Sequence, residues 1–236
     1  MEQLQLGSIT VDVVKKKVKH VHLSVHPPTG RVRIAAPERM KTDVIRMYAI
    51  SKLDWIKRHQ RKVAAQDRET PREYLERESH YVWGRRYLLK VEKAPKAIAV
   101  ELLHRSLVLK LPGDASIPRR QAALEKWYRQ QTKDVAASMI EKWAGVMGVS
   151  VVKLRVQRMK TKWGSCNHRS GMIRLNSELA KKPPMCMEYV LVHELAHLIE
   201  PTHGKRFVKL MDETLPDWQR RRSMLNELPV RSEKWV

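Results

Sequence analysis

Cysteine is nearly absent from this chain of 236 residues: Cys166 and Cys186 are the only two. So few thiols build no disulfide framework, so the fold must rest on an apolar core, and a reducing compartment fits. Phenylalanine is rarer still, a single residue at Phe207, beside six tyrosines and seven tryptophans. A stacking platform for single-stranded nucleic acid is poorly supported by that inventory. No stretch approaches the roughly 20 apolar residues of a membrane span, and residues 1–10 carry no apolar signal core. The expectation is a cytoplasmic protein with no membrane partner. Negative charge is the largest deficit. Asp and Glu number 25 against 47 Lys and Arg, a formal net charge of +22. That excess speaks of partners rather than of fold: nucleic acid and other polyanions would be attracted. The basic residues are scattered, as in Lys15-Lys16-Lys17, Arg119-Arg120 and Arg220-Arg221-Arg222, which describes a solvated surface better than one dedicated groove.

What is present is organised by periodicity. Residues 1–36 alternate as strands: Ile9, Val11 and Val13, then Val21, Leu23 and Val25, then Val32 and Ile34, with a turn at Pro27-Pro28-Thr29-Gly30. Residues 41–66 read as one helix starting near Thr42 or Asp43. Strands return at Tyr87–Val91, Ile98–Leu103 and Leu107–Leu111. Pro112-Gly113-Asp114 is the expected boundary, dividing a β-rich region, 1–112, from a second domain, 113–236. That domain opens on an amphipathic helix from about Pro118 to Met147, ended by Gly148. Residues 151–163 read as a strand whose alternation slips near Gln157-Arg158, as at a bulge, putting Arg158, Lys160 and Lys162 on one face. Gly164 to Gly171 is the expected hairpin connection, returning through Ile173 and Leu175. The order of elements predicts an α+β fold. No internal repeat stands out.

The most specific signal is His193-Glu194-Leu195-Ala196-His197 followed by His203, which reads H-E-x-x-H-x5-H. Chance would produce an H-E-x-x-H in roughly 0.03 of chains of this composition. Residues four apart on a helix lie nearly above one another, so His193 and His197 offer two imidazoles to one point. Glu194 sits beside that face, placed to act on a water. His203 follows a helix-stopping Pro201, where the chain can turn back and offer a third nitrogen. Glu200, Asp212 and Glu213 are the competing third ligands. Three protein ligands leave one tetrahedral position open, the mark of a catalytic Zn2+ site, and water there is acidified toward neutrality. Phe207 is expected to pack under the site. Cys166 is a candidate fourth ligand or redox-sensitive thiol, though a small packed thiol is the commoner outcome.

These residues also carry a resemblance. Lys160-Thr161-Lys162-Trp163-Gly164-Ser165-Cys166, Ile173-Arg174-Leu175-Asn176, the His193–His197 segment, His203-Gly204-Lys205-Arg206-Phe207 and, upstream, Trp83-Gly84-Arg85-Arg86-Tyr87 together resemble the YgjP-type metallopeptidases, related to the SprT-like and WLM zinc proteases. The resemblance implies a zincin-like C-terminal half, with a strand pair beside the metal helix. It implies His193, His197 and His203 as ligands and Glu194 as general base.

The leading expectation is zinc-dependent peptide hydrolysis, with a protein or peptide substrate. Lys160, Lys162, Trp163 and Arg174 are the candidate substrate-binding residues, and His168, Arg174, Lys160 and Tyr189 the candidate oxyanion donors. A rival keeps the metal and hydrolyses nucleotide phosphoanhydrides, as a pyrophosphatase, although no P-loop glycine pattern accompanies it. A third reading is a basic nucleic-acid-associated module whose metal is structural.

Overall fold

The computed structural model describes residues 2–26, 29–65, 69–95, 98–113 and 115–229. Gln66 to Arg68, the Pro27-Pro28 turn and Asp114 of the expected boundary lie outside the described residues. The fold is mixed α and β. Two compact units divide the chain: residues 1–71 with 227–236, and residues 72–226. Pro112-Gly113 thus falls inside the second unit. No helix among the described residues is long and apolar enough to cross a membrane.

The first unit is built on strands β1 (Glu2–Leu6), β2 (Ile9–Lys16), β3 (His22–His26) and β4 (Arg31–Pro37), in the order β1-β2-β4-β3. β2 and β4 run parallel, and the outer pairs are antiparallel. The alternation that predicts these strands also makes the core: Leu4, Leu6, Ile9, Val11, Val13, Val32 and Ile34 are buried together. The helix expected over 41–66 is two helices, α1 (Thr42–Ser51) and α2 (Leu53–Ala65). They meet at Lys52, whose N–H bonds back to Ala49 O at 3.1 Å, and both Ile45 and Ile56 are fully buried in that core.

The second unit opens on another four-stranded sheet: β5 (Ser79–Val82), β6 (Arg85–Lys93), β7 (Ala99–Leu102) and β8 (Ser106–Leu111), ordered β5-β6-β8-β7. Order and sense repeat those of the first sheet, with β6 and β8 parallel between antiparallel outer pairs. The sequence reading missed β5, and also the repeat. Helix α3 (Ile117–Met147) follows, ended by Gly148 in the left-handed conformation (φ 64°). Its buried stripe is Leu124, Tyr128, Thr132, Ala136 and Trp143, whereas Trp127, Val135, Met139 and Met147 are half-buried.

The third sheet corrects the expectation for residues 151–176. β9 (Lys153–Gln157) stops at Gln157; the slip in alternation is the strand's end, not a bulge. Residues 158–163 form an irregular connection, so Arg158, Lys160 and Lys162 share no strand face. The antiparallel hairpin is β10 (Gly164–Asn167) with β11 (Met172–Asn176), and β9 joins β11 in parallel. The order β10-β11-β9 leaves β10 at an edge. A short 3-10 turn, Ser177–Lys181, leads into helix α4 (Pro184–Ile199), followed by α5 (Lys205–Thr214) and α6 (Trp218–Glu227).

Candidate active site

Helix α4 begins at a proline, whose missing N–H costs nothing in a first turn. The tight turn Trp83-Gly84 fastens its approach: Trp83 N donates to Ala180 O at 2.7 Å and Gly84 N to Lys181 O at 3.3 Å. Gly84 has φ +80°, and a Cβ there would meet Pro183 Cγ at 2.9 Å. Tyr189 to Val192 and Glu194 to Ala196 are all buried, so packing fixes the helix and the rotamers it carries.

His193 and His197 project from this helix half-buried, and His203 reaches back from the loop before α5. Their Nε2 atoms converge: His203 to His193 is 3.0 Å and His203 to His197 is 3.1 Å. Phe207, 2% exposed, lies beneath all three rings at centroid distances of 4.7–5.0 Å. His197 Nδ1 is 3.1 Å from Glu200 O. A carbonyl only accepts, so Nδ1 carries the proton and Nε2 turns its lone pair inward. Burial holds the His193 ring neutral, its pKa brought down to about 3, and the charges of His197, His203 and Arg222 add to that effect. His193 Nδ1 is buried without a hydrogen-bond partner among the described residues.

These donors suit a zinc ion. Tetrahedral Zn–N bonds of about 2.0–2.1 Å put ligand nitrogens about 3.3 Å apart, near the observed spacing. Protons cannot satisfy three lone pairs facing one point, whereas one cation can. Within the described residues these three histidines are the one cluster of His, Cys, Asp or Glu whose donor atoms approach this closely. The acids that competed for third ligand are engaged elsewhere: Asp212 Oδ1 accepts Trp218 Nε1 at 2.7 Å, Glu200 faces Arg206 at 3.7 Å, and Glu213 faces Lys209 at 3.7 Å. Cys166 stays outside the cluster. Burial and the charge of Glu194 push its thiol up to about 11.

Glu194 is 6% exposed. Burial raises its carboxyl to about 7, against an opposing pull from the Lys162 charge. Edge strand β10 lies against it at Gly164, where a Cβ would sit 2.5 Å from Glu194 Oε1 and 2.7 Å from its Cγ. Only glycine permits that approach.

Of the expected substrate-binding residues, Lys160, Lys162 and Trp163 lie in the connection that delivers Gly164. Asn176 clamps this segment. Its Nδ2 donates to Met159 O at 2.8 Å and Lys162 O at 2.9 Å, its Oδ1 accepts from Met159 N at 3.2 Å, and its own N–H donates to Trp163 O at 2.9 Å. Arg174 lies elsewhere. Leu175 pairs with Gly164 and shares its face toward Glu194, so Arg174, one residue away, points to the other face. Tyr189 is buried against Trp218, with ring planes 12° apart, and His168 is exposed near the hairpin tip. The tail from Lys205 to Leu228, expected to be helical with a break near Pro216, is α5 and α6. Sequence reasoning missed the roles of Gly164 and Asn176, whose need arises from partners distant in sequence.

Convergent imidazoles on a mixed α+β scaffold place the chain in the class of metal-binding proteins. Residues 19–228 match the YgjP-like family, described as its metallopeptidase domain, so the chain belongs to the YgjP-like family and is supported as a metal-dependent peptidase. No curated protein matches. Among solved structures, the metallopeptidase zymogen abylysin of Pyrococcus abyssi is 21% identical, with a TM-score of 0.36, covering 41% of this chain and 99% of its own. The zymogen jannalysin of Methanocaldococcus jannaschii is 18% identical, with a TM-score of 0.33, covering 40% and 92%.

Proposed function

We propose that the chain is a zinc-dependent peptidase whose zincin-like catalytic part lies within the second unit, residues 72–226. His193, His197 and His203 hold the ion, and Glu194 is the general base. The observation that carries this reading is the triangle of Nε2 atoms at 3.0 and 3.1 Å with a buried carboxylate one residue along the same helix. When bound, the zinc supplies Lewis acidity that polarises a substrate carbonyl and makes water a better nucleophile. Glu194 takes the proton of the attacking water on a carboxylate oxygen and returns it to the leaving amine. A buried carboxyl one residue from His193 on the same helix is placed for both halves of that transfer. Phe207 and the Glu200 carbonyl hold the imidazoles in place, while Lys162 and Trp163 border the space a peptide would occupy.

The test combines metal analysis with turnover. Wild type and Glu194→Gln should each carry about one zinc per chain, and His203→Ala much less. Cleavage of a denatured-protein panel should fall about 100-fold or more in Glu194→Gln. Unchanged cleavage in that variant would remove Glu194 from the mechanism. Turnover of a nucleotide panel in place of the proteins would redirect the site to phosphoanhydrides.

A further inference from the structure

Charge around the histidine cluster is one-sided. Lys162 approaches on the Asn176-clamped connection, two residues before Gly164, and its charge acts on Glu194. Arg222 approaches on α6. That helix is fastened to α4 by Arg221, which donates to Glu188 at 2.5 Å, and by Trp218, stacked on Tyr189 at 6.4 Å. Arg222 lies one turn beyond Trp218 on the same helix face, and its charge acts on both Tyr189 and His193. Both side chains are exposed.

Several other basic residues of this unit are held in ion pairs. Arg221 holds Glu188 and Asp217, Lys181 holds Glu178, and Arg158 holds Glu125. Lys162 and Arg222 form no ion pair among the described residues. Unpaired cations of one sign around a cleft concentrate ligands of the other sign. The ligand's backbone is also specified, because β10 is an edge strand beside Glu194 and its free side offers main-chain hydrogen bonds to an extended polypeptide. A nucleic acid has no strand to add there.

We propose that Lys162 and Arg222 select polypeptide segments carrying Asp or Glu close to the scissile bond. This substrate class rests on the peptidase reading above. The rim cations bind carboxylates flanking the bond, while the β10 edge holds the chain extended.

The test uses zinc-loaded full-length Glu194→Gln protein and short fluorescent peptides, one series Glu-rich and one matched with Gln, beside an oligothymidylate. Binding is read by anisotropy at low and high salt. The Glu series should bind about tenfold more tightly at low salt, two exposed charge contacts at roughly threefold each. Lys162→Gln with Arg222→Gln should remove most of that preference, whereas Lys15→Gln with Lys16→Gln should leave it. Equal binding of the two series, or a preference untouched by the rim variant, overturns the proposal. So does tighter, rim-dependent binding of the oligothymidylate. Cleavage by zinc-loaded wild type separates this inference from the reading beneath it. Glu peptides bound through the rim but never cut would sink the peptidase and leave the selectivity standing. Both series cut equally would do the reverse.

Discussion

At the scale of single residues, Gly164 acts by having no side chain. The carboxylate of Glu194 occupies the volume a methyl group would need, with Oε1 2.5 Å from the Cβ position. Gly164→Ala should therefore displace the carboxylate while leaving the imidazoles in place. We expect zinc content to stay at the wild-type level and kcat/KM to fall about tenfold or more, with an overpacking cost of about 1–3 kcal/mol in a urea melt. Loss of zinc along with activity would mean that the glycine supports the whole cluster instead. The contrast with the histidines explains what was legible. His193, His197 and His203 announce themselves because ligand chemistry restricts residue type and helix geometry restricts spacing. A glycine's requirement is set by whatever packs on it, and sequence does not say that Glu194 does. Asn176 was equally silent, since its hydrogen bonds go to backbone atoms, which every residue has.

At the scale of elements, periodicity located most strands and helices but misjudged their ends. The slip after Gln157 was compatible with a bulge or with a strand stopping, and only the parallel pairing of β9 with β11 decides for the second. The break at Lys52 divides a run whose helical apolar spacing continues on both sides, so the pattern does not encode it. The anchoring of α6 was also hidden, because it converges on one carboxylate of α4. Glu188 accepts from Arg221 at 2.5 Å, from Trp143 Nε1 on α3 at 2.9 Å and from Lys142 at 3.3 Å. Burial alone would raise this carboxyl, but those donors outweigh it and hold it below the usual range. Glu188→Ala leaves the Trp143 donor without its partner and Arg221 with Asp217 alone. A loss of about 2–3 kcal/mol is expected, read as a lower urea midpoint with an unchanged slope. A loss below about 0.5 kcal/mol would show that α6 is held by the Trp218–Tyr189 stack alone.

At the scale of the whole molecule, two sheets of one strand order and sense stand in two compact units, a repeat the sequence conceals because alternation constrains polarity and not identity. The units also differ in what stabilises them. The histidine cluster belongs to residues 72–226, while the first unit carries the buried Asp12. Hydrogen bonds from Arg31 and then Gln3 hold the Asp12 carboxyl below its ordinary value. A depressed folded-state pKa contributes stability that is present in full above the unfolded value, about 3.9, and is lost as pH falls through the folded value. Calorimetry should therefore resolve two transitions with separate controls. If the histidine cluster holds zinc as proposed, a chelator at neutral pH should lower only the second unit's transition, because the ion would bind that unit's folded form. Acid below about pH 4 should lower the first unit's transition, and Asp12→Asn should flatten that acid limb without altering the response to chelator. One transition that moves as a whole under both treatments would show that the units unfold as a single cooperative body and that metal at the histidines is felt throughout the chain.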